Sequence, residues 1–283
     1  MGLSLQPAAA GCGVAAAVAA PAPALTRERL PDSQVVRGIR DIAWVWLASP
    51  TYRYPHAALG SAVHAGSLQV LPAGASAAVS YELPLNRVFE DRVPRLADLD
   101  GDGRDEIIVI EADAFKGAAV VVLGLQTRAD GRAEIVERAR SPHAGSAFRW
   151  LNPVGVADFD GDGRADIASV TTPHIGGVLN LYHYRPPKLE PFATAMDVSN
   201  HRMGALEQQQ AAIVESPGLR PTIILPDMTQ TALHALRWVA PGRWEELADL
   251  KRLPARVARI TPLPQGACVT LADGSWWRAT LAH

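Results

Sequence analysis

The chain has 283 residues and a formal charge of −2, with 48% hydrophobic and 20% charged residues. This is the balance of a folded globular protein large enough for one or two domains, and it excludes a mainly disordered chain. The near-neutral charge offers no broad field for nucleic acid, and the two cysteines, Cys12 and Cys268, exclude a disulfide scaffold or a Cys-rich zinc module.

Residues 1–24 contain no charged side chain. The alanine-rich run Ala8 to Ala20 is too short to span a membrane. It precedes Ala22-Pro23-Ala24, a small-x-small cleavage pattern, and reads as a secretory signal that lacks basic residues. Ala9-Ala10-Gly11 before Cys12 offers a second reading, a lipoprotein leader with a lipid anchor at Cys12; a disordered Ala/Pro tail is the third. The first two imply an extracytoplasmic protein (periplasmic, secreted or at the cell surface) whose Cys268 is buried and unpaired. Residues 25–33 then form a linker, and 34–283 the folded domain.

Two segments of that domain match almost letter for letter, Leu96 to Val109 and Val156 to Ser169, offset by 60 residues. Weaker echoes occur at Arg40-Asp41-Ile42, at Glu215 to Ile224 and at Ala267 to Leu271. The anchors Asp41, Glu106, Asp166 and Thr222 are spaced 65, 60 and 56 residues apart, so about five units fill the chain. Within a unit the runs are rich in Val, Ile, Leu and Tyr, with Gly, Pro and Asp between them, which predicts strands. In the second unit they are Glu106 to Glu111, Ala118 to Gln126 and Ala133 to Ala139. In the third they are Asn152 to Ala157, Asp166 to Thr172, Val178 to Arg185 and Glu190 to Ala195. Short helices are expected only at Gly204 to Ala212 and Trp244 to Leu253. Four strands per unit, repeated radially, predict an all-β fold, a β-propeller of about five four-stranded blades.

The two matching segments carry the chemistry. Asp98, Asp100, Asp102 and Glu106 stand at positions 1, 3, 5 and 9 of the first loop, and Asp158, Asp160, Asp162 and Asp166 at the same positions of the second. Over residues 98–106 five acids and one arginine give −4; over 158–166 four acids and one arginine give −3. Carboxylates so crowded need a cation, and oxygen ligands at alternate positions suit a hard ion, Ca²⁺, one in each loop. Gly103 and Gly163 fall where the chain must turn sharply, and the carbonyls of Arg104 and Arg164 are the candidate backbone ligands. Position 12 is Val109 or Ser169 rather than glutamate, so the scaffold is not a helix pair.

These loops, each followed by an apolar strand, resemble the FG-GAP/VCBS repeats of bacterial exported proteins and integrin α-subunit propellers. The resemblance implies an exported calcium-binding propeller used for adhesion or as a binding platform, with the metal at the ten loop residues named above. The other units have no acidic loop and are expected to hold no metal. No P-loop, G-x-S-x-G or H-E-x-x-H motif is present. The chain is therefore expected to be a monomeric, non-enzymatic binding or scaffold module for a protein or glycan partner, without a membrane span. The alternative is a lectin-like propeller or a polysaccharide lyase-type enzyme on the same fold. Trp44 and Trp46 share a strand face and are read as packing residues, with a sugar-stacking platform as the minor reading.

Overall fold

The computed structural model describes residues 2–13, 28–247 and 252–282. The expected cleavage pattern at residues 22–24 and part of the second expected helix, residues 248–251, lie outside them.

Strand β1 (Gly2–Ala8) opens the chain and is followed by a short 3-10 turn at Ala10–Gly13. The first blade is β2 (Val36–Arg37), β3 (Ile42–Thr51), β4 (His64–Pro72) and β5 (Val79–Glu82). A short strand, β6 (Arg87–Phe89), leads to the second blade: β7 (Arg95–Ala97), β8 (Glu106–Asp113), β9 (Gly117–Thr127) and β10 (Ala133–Arg140). The third blade is β11 (Leu151–Ala157), β12 (Asp166–Thr171), β13 (Val178–Arg185) and β14 (Lys188–Met196). The fourth is β15 (Ala212–Ser216), β16 (Leu219–Pro226), β17 (Leu233–Ala240) and β18 (Arg243–Glu246). In the fifth, β19 (Val257–Leu263), β20 (Gly266–Leu271) and β21 (Trp276–Ala282) are completed by β1, which pairs antiparallel with β21 over seven residues.

Each blade is an antiparallel meander. Blades one to three join into one continuous sheet only through narrow bridges, β4–β6–β8 and the single pair Arg140↔Lys188 between β10 and β14. Among the described residues the fold is thus all-β with five four-stranded blades, as the repeat spacing predicts. The anchors Glu106 and Asp166 begin the second strands of their blades, Thr222 lies within one, and Asp41 immediately precedes one.

The strands are buried on both faces where blades stack, which explains their weak alternation. Ile107 and Val109 of β8 pack toward Val45 and Leu68 of blade one, while Ile108 and Ile110 of the same strand pack toward Ile167 and Tyr182 of blade three. Further clusters join blade three to four (Leu179, Ile223) and blade four to five (Ile224, Val269). Fully burying one such Leu, Ile or Val side chain contributes about 1.5–3 kcal/mol.

Several expectations are corrected here. Cys268 is not unpaired: it forms a disulfide with Cys12, across 256 residues of sequence. A sulfur so committed cannot also carry a lipid thioether. Residues 2–13, assigned above to a leader, supply a strand and this crosslink to blade five. Leu30, assigned to the linker, is fully buried in the blade one–two core, and its N–H donates to Leu47 O. Gly204 to Ala211 contains turns and irregular backbone rather than a helix, and Trp244 to Glu246 belong to β18. The buried Gln208 and Gln210 side chains bond to Asn152 Oδ1 and Val257 O in other blades, contacts that tie this irregular segment to its neighbours.

That axis is polar. Asn152 and Asn200 exchange bonds, each side-chain amide donating to the other's backbone carbonyl, at 3.1 and 2.9 Å. Trp150 Nε1–H donates to Glu90 O, and the Trp150 ring lies parallel to His174 and meets His201 edge-on. His201 donates from Nε2 to Ala205 O at 2.9 Å and accepts at Nδ1 from His174 Nε2 at 2.9 Å. Burial pushes His201 down to about 3, and His174 and His64 to about 4. A histidine whose folded pKa is depressed stabilises the fold fully above its ordinary value near 6.5 and loses that contribution as pH falls toward the folded value. One pKa unit is worth about 1.4 kcal/mol, so three such groups make a steep slope. Melting followed by circular dichroism is expected to show Tm falling sharply between pH 6.5 and 4; a Tm flat over that window contradicts the assignment.

Candidate metal centre

The two acidic loops occupy equivalent places, each joining the first strand of a blade to the second: β7 to β8 and β11 to β12. Their backbones are folded by their own carboxylates. In the first loop Asp98 accepts from the N–H of Gly101 and Gly103 at 2.8 and 3.0 Å, and Asp102 accepts from Arg104 N–H at 2.8 Å. In the second, Asp158 accepts from Gly161 and Gly163 at 2.7 and 2.9 Å, and Asp162 from Arg164 at 2.9 Å. Gly103 and Gly163 sit at φ +83° and +86°, a left-handed backbone that side chains disfavour.

Each loop is closed from the strand behind it. Glu106 Oε2 accepts from Leu99 N–H at 2.8 Å, and Asp166 Oδ2 from Phe159 N–H at 3.1 Å. The result is a knot of oxygens. Ligand atoms of Asp98, Asp100 and Glu106 lie within 4.8 Å of one another, as do those of Asp158, Asp160 and Asp166. Asp102 stands outside the first group, whereas Asp162 gathers with Asp160 and His183. Burial, then the nearby Asp100, Asp102 and Asp98, push the Glu106 carboxyl up to about 7, against the opposing Leu99 N–H bond. Burial likewise raises Asp166, with Asp160 adding to it and His183 opposing it. Acids under this strain at neutral pH fit a cation-binding cage of hard oxygen donors.

The loops differ in their supports. The first is keyed to blade one. Arg40 Nη1 meets Asp105 Oδ1 at 2.6 Å, and Asp41 accepts from the Asp105 N–H at 2.8 Å and from Arg104 Nε at 3.1 Å. Arg104 also donates to Leu125 O, so its guanidinium is a clamp between blades and only its carbonyl is left for an ion. Asp105 is 2% exposed. Removing its partner by Arg40→Ala therefore strands a buried charge and is expected to cost about 3 kcal/mol, read by urea denaturation. A loss below about 0.5 kcal/mol contradicts the clamp. The second loop has Ala165 in place of Asp105 and no such tie. Its support is His183, whose Nδ1 lies 3.0 Å from Asp166 Oδ1.

Sequence spacing did not reveal Arg40, Asp41, Asp105 or His183 as loop partners. The register Asp166↔His183 across β12 and β13 is the signal that finds the histidine.

Beside the first loop, a cavity of about 890 Å³ opens along the axis and reaches Asp98. Blade one supplies Gln34 and Arg40, blade two Arg95, blade three Pro153 to Val156, the approach to blade four Leu206 to Gln209, and blade five Arg259. Its arginines are paired: Arg40 with Asp105, Arg95 with Asp91 at 2.8 Å, and Arg259 with Glu207 at 2.9 Å. Trp46 is 2% exposed, so it packs within the protein and Trp44 and Trp46 present no two-ring surface for a sugar. Among the described residues no helix is long and apolar enough to cross a membrane.

Five blades of the described residues that together line one cavity, two of them with acidic loops between first and second strands, make a repeat-built β-propeller fold. Residues 98–169 match the family model of the FG-GAP-like repeat. The match takes in both loops, most of blade two and the first part of blade three, so this part of the chain carries FG-GAP-like repeats. No curated protein matches it.

Proposed function

We propose that the chain is an exported calcium-binding propeller that acts as a non-enzymatic binding, scaffold or adhesion module for a protein or glycan partner. The observation that carries this reading is the pair of matched oxygen clusters, each held open by backbone N–H groups and a buried acid. In the first, Asp98, Asp100 and Glu106 would take the ion; in the second, Asp158, Asp160 and Asp166. Asp102, Asp162 and the carbonyls of Arg104 and Arg164 complete the sets. A bound Ca²⁺ supplies charge neutralisation at both loops. The chain's own part is to fix the loops relative to the blades, through Arg40 and Asp41 in one case and His183 in the other.

Export is supported by the Cys12–Cys268 disulfide, since such bonds persist in oxidising compartments. A binding role rather than catalysis is supported by the axial cavity, where each arginine is already neutralised by a carboxylate. Calorimetric titration of metal-stripped protein with Ca²⁺ tests the reading. Two ions per chain are expected, with Asp98→Asn and Asp158→Asn each weakening one. Absence of Ca²⁺ binding at millimolar concentration overturns it.

A further inference from the structure

We propose that the blade-three loop, and not the blade-two loop, is also a site for a transition-metal ion of borderline softness, such as Co²⁺, Ni²⁺ or Zn²⁺. The ion would be held by His183 Nε2 with the carboxylates of Asp160 and Asp162. The proposal rests on the reading of this loop as a cation site and adds a nitrogen ligand that changes which ions it selects.

Ligand atoms of Asp160, Asp162 and His183 lie within 4.8 Å of one another. The imidazole is fixed on two sides. Its Nδ1 meets Asp166 Oδ1 at 3.0 Å, and Asp166 is 1% exposed. Its ring stacks on Phe192, with centroids 4.0 Å apart and planes 13° from parallel. With Nδ1–H donating to the Asp166 carboxylate, Nε2 keeps its lone pair, and it lies 3.9 Å from Asp160 Oδ2. Two ligands on one tetrahedral ion with bonds of 2.0–2.2 Å stand about 3.4 Å apart, so a small contraction accommodates the ion. A buried carboxylate behind an imidazole is the arrangement that orients a metal-ligating histidine and strengthens it as a donor. Imidazole favours Zn²⁺, Ni²⁺ and neighbouring ions, whereas oxygen-only cages favour Ca²⁺, Mg²⁺ and Mn²⁺. In this state Asp166 is a positioning residue for His183.

Blade two cannot do the same. Continuing the β8–β9 register past Ile107↔Leu123 sets Gly124 opposite Glu106. Gly124 has no side chain, and Arg138 fills the space one would take. The two loops, nearly identical in sequence, therefore differ in the residue facing them from the neighbouring strand.

The test is titration of metal-stripped protein with Co²⁺, followed by calorimetry and visible absorbance. It is run on the wild type, His183→Gln, Asp162→Asn and the blade-two control Asp98→Asn. Wild type is expected to bind one Co²⁺ whose affinity falls at least about tenfold in His183→Gln and in Asp162→Asn, and stays unchanged in Asp98→Asn. Asp162 is exposed, so its variant reports on the site in a folded chain even if His183→Gln is unstable. Co²⁺ affinity unchanged in both variants, or no Co²⁺ binding by wild type, overturns the proposal. Ca²⁺ titration of the same proteins separates the two readings. Ca²⁺ binding with Co²⁺ indifferent to His183 overturns this inference alone. Co²⁺ binding that depends on His183, without Ca²⁺ binding, supports it while overturning the calcium reading.

Discussion

Chelation of divalent ions is expected to lower the melting temperature by about 10–20 °C at neutral pH. A site held at about 100 times its dissociation constant adds about 2.7 kcal/mol, so two sites add about 5 kcal/mol, and each kcal/mol moves Tm by about 2–4 °C in a domain of this size. The acids supply the reason for the loss. Without a cation, Glu106 prefers its protonated form up to about pH 7. A carboxyl with a raised folded pKa stabilises the fold fully below its unfolded value, near 4.5, and loses that contribution as pH rises through about 7. The calcium-dependent gain should therefore grow from pH 5.5 to pH 8. Asp98→Asn with Asp158→Asn should melt at one temperature with or without Ca²⁺. A metal-stripped wild type that melts as the loaded protein does contradicts this account.

Reducing the Cys12–Cys268 bond is expected to cost about 2–4 kcal/mol, or about 5–15 °C in Tm. The bond links β1's end to β20, and the closed loop holds nearly the whole chain, so its entropic contribution to the unfolded state is near the upper end of the usual range. It also secures β1, which pairs with β21 from Gly2↔Ala282 to Ala8↔Trp276 and buries Leu3 against blade four's Ala212 and Val214 cluster. Cys268→Ser should match the reduced wild type, and reduction of that variant should change nothing further. Since the bond lies in blade five and the acidic loops in blades two and three, the effects of reduction and chelation should add. A wild-type Tm that reductant leaves unchanged contradicts the role given to the bond.

The acidic loops were legible because their chemistry is local. Carboxylates at alternate positions with a glycine at the sixth record the cage in nine consecutive residues. The blade count was legible because Asp41, Glu106, Asp166 and Thr222 recur where first strand gives way to second. What escaped the sequence is what the fold brings together across strands or across the whole chain. Gly2 to Ala8 carries no alternating pattern strong enough to distinguish a strand from a leader, and its partner lies at the other end of the sequence. Leu30 is an isolated apolar residue in a polar stretch, and its burial follows from the bridge Arg29↔Ala48 and its N–H bond to Leu47 O. His183 lies within the expected strand Val178 to Arg185. Its meaning depends on the register that places it against Asp166.

The most direct test of the central claim is an anomalous difference map from a crystal grown with Ca²⁺. The account predicts one peak within the carboxylates of Asp98, Asp100 and Glu106 and a second within those of Asp158, Asp160 and Asp166. Acids turned outward to solvent in both loops, with no peak between them, would contradict it.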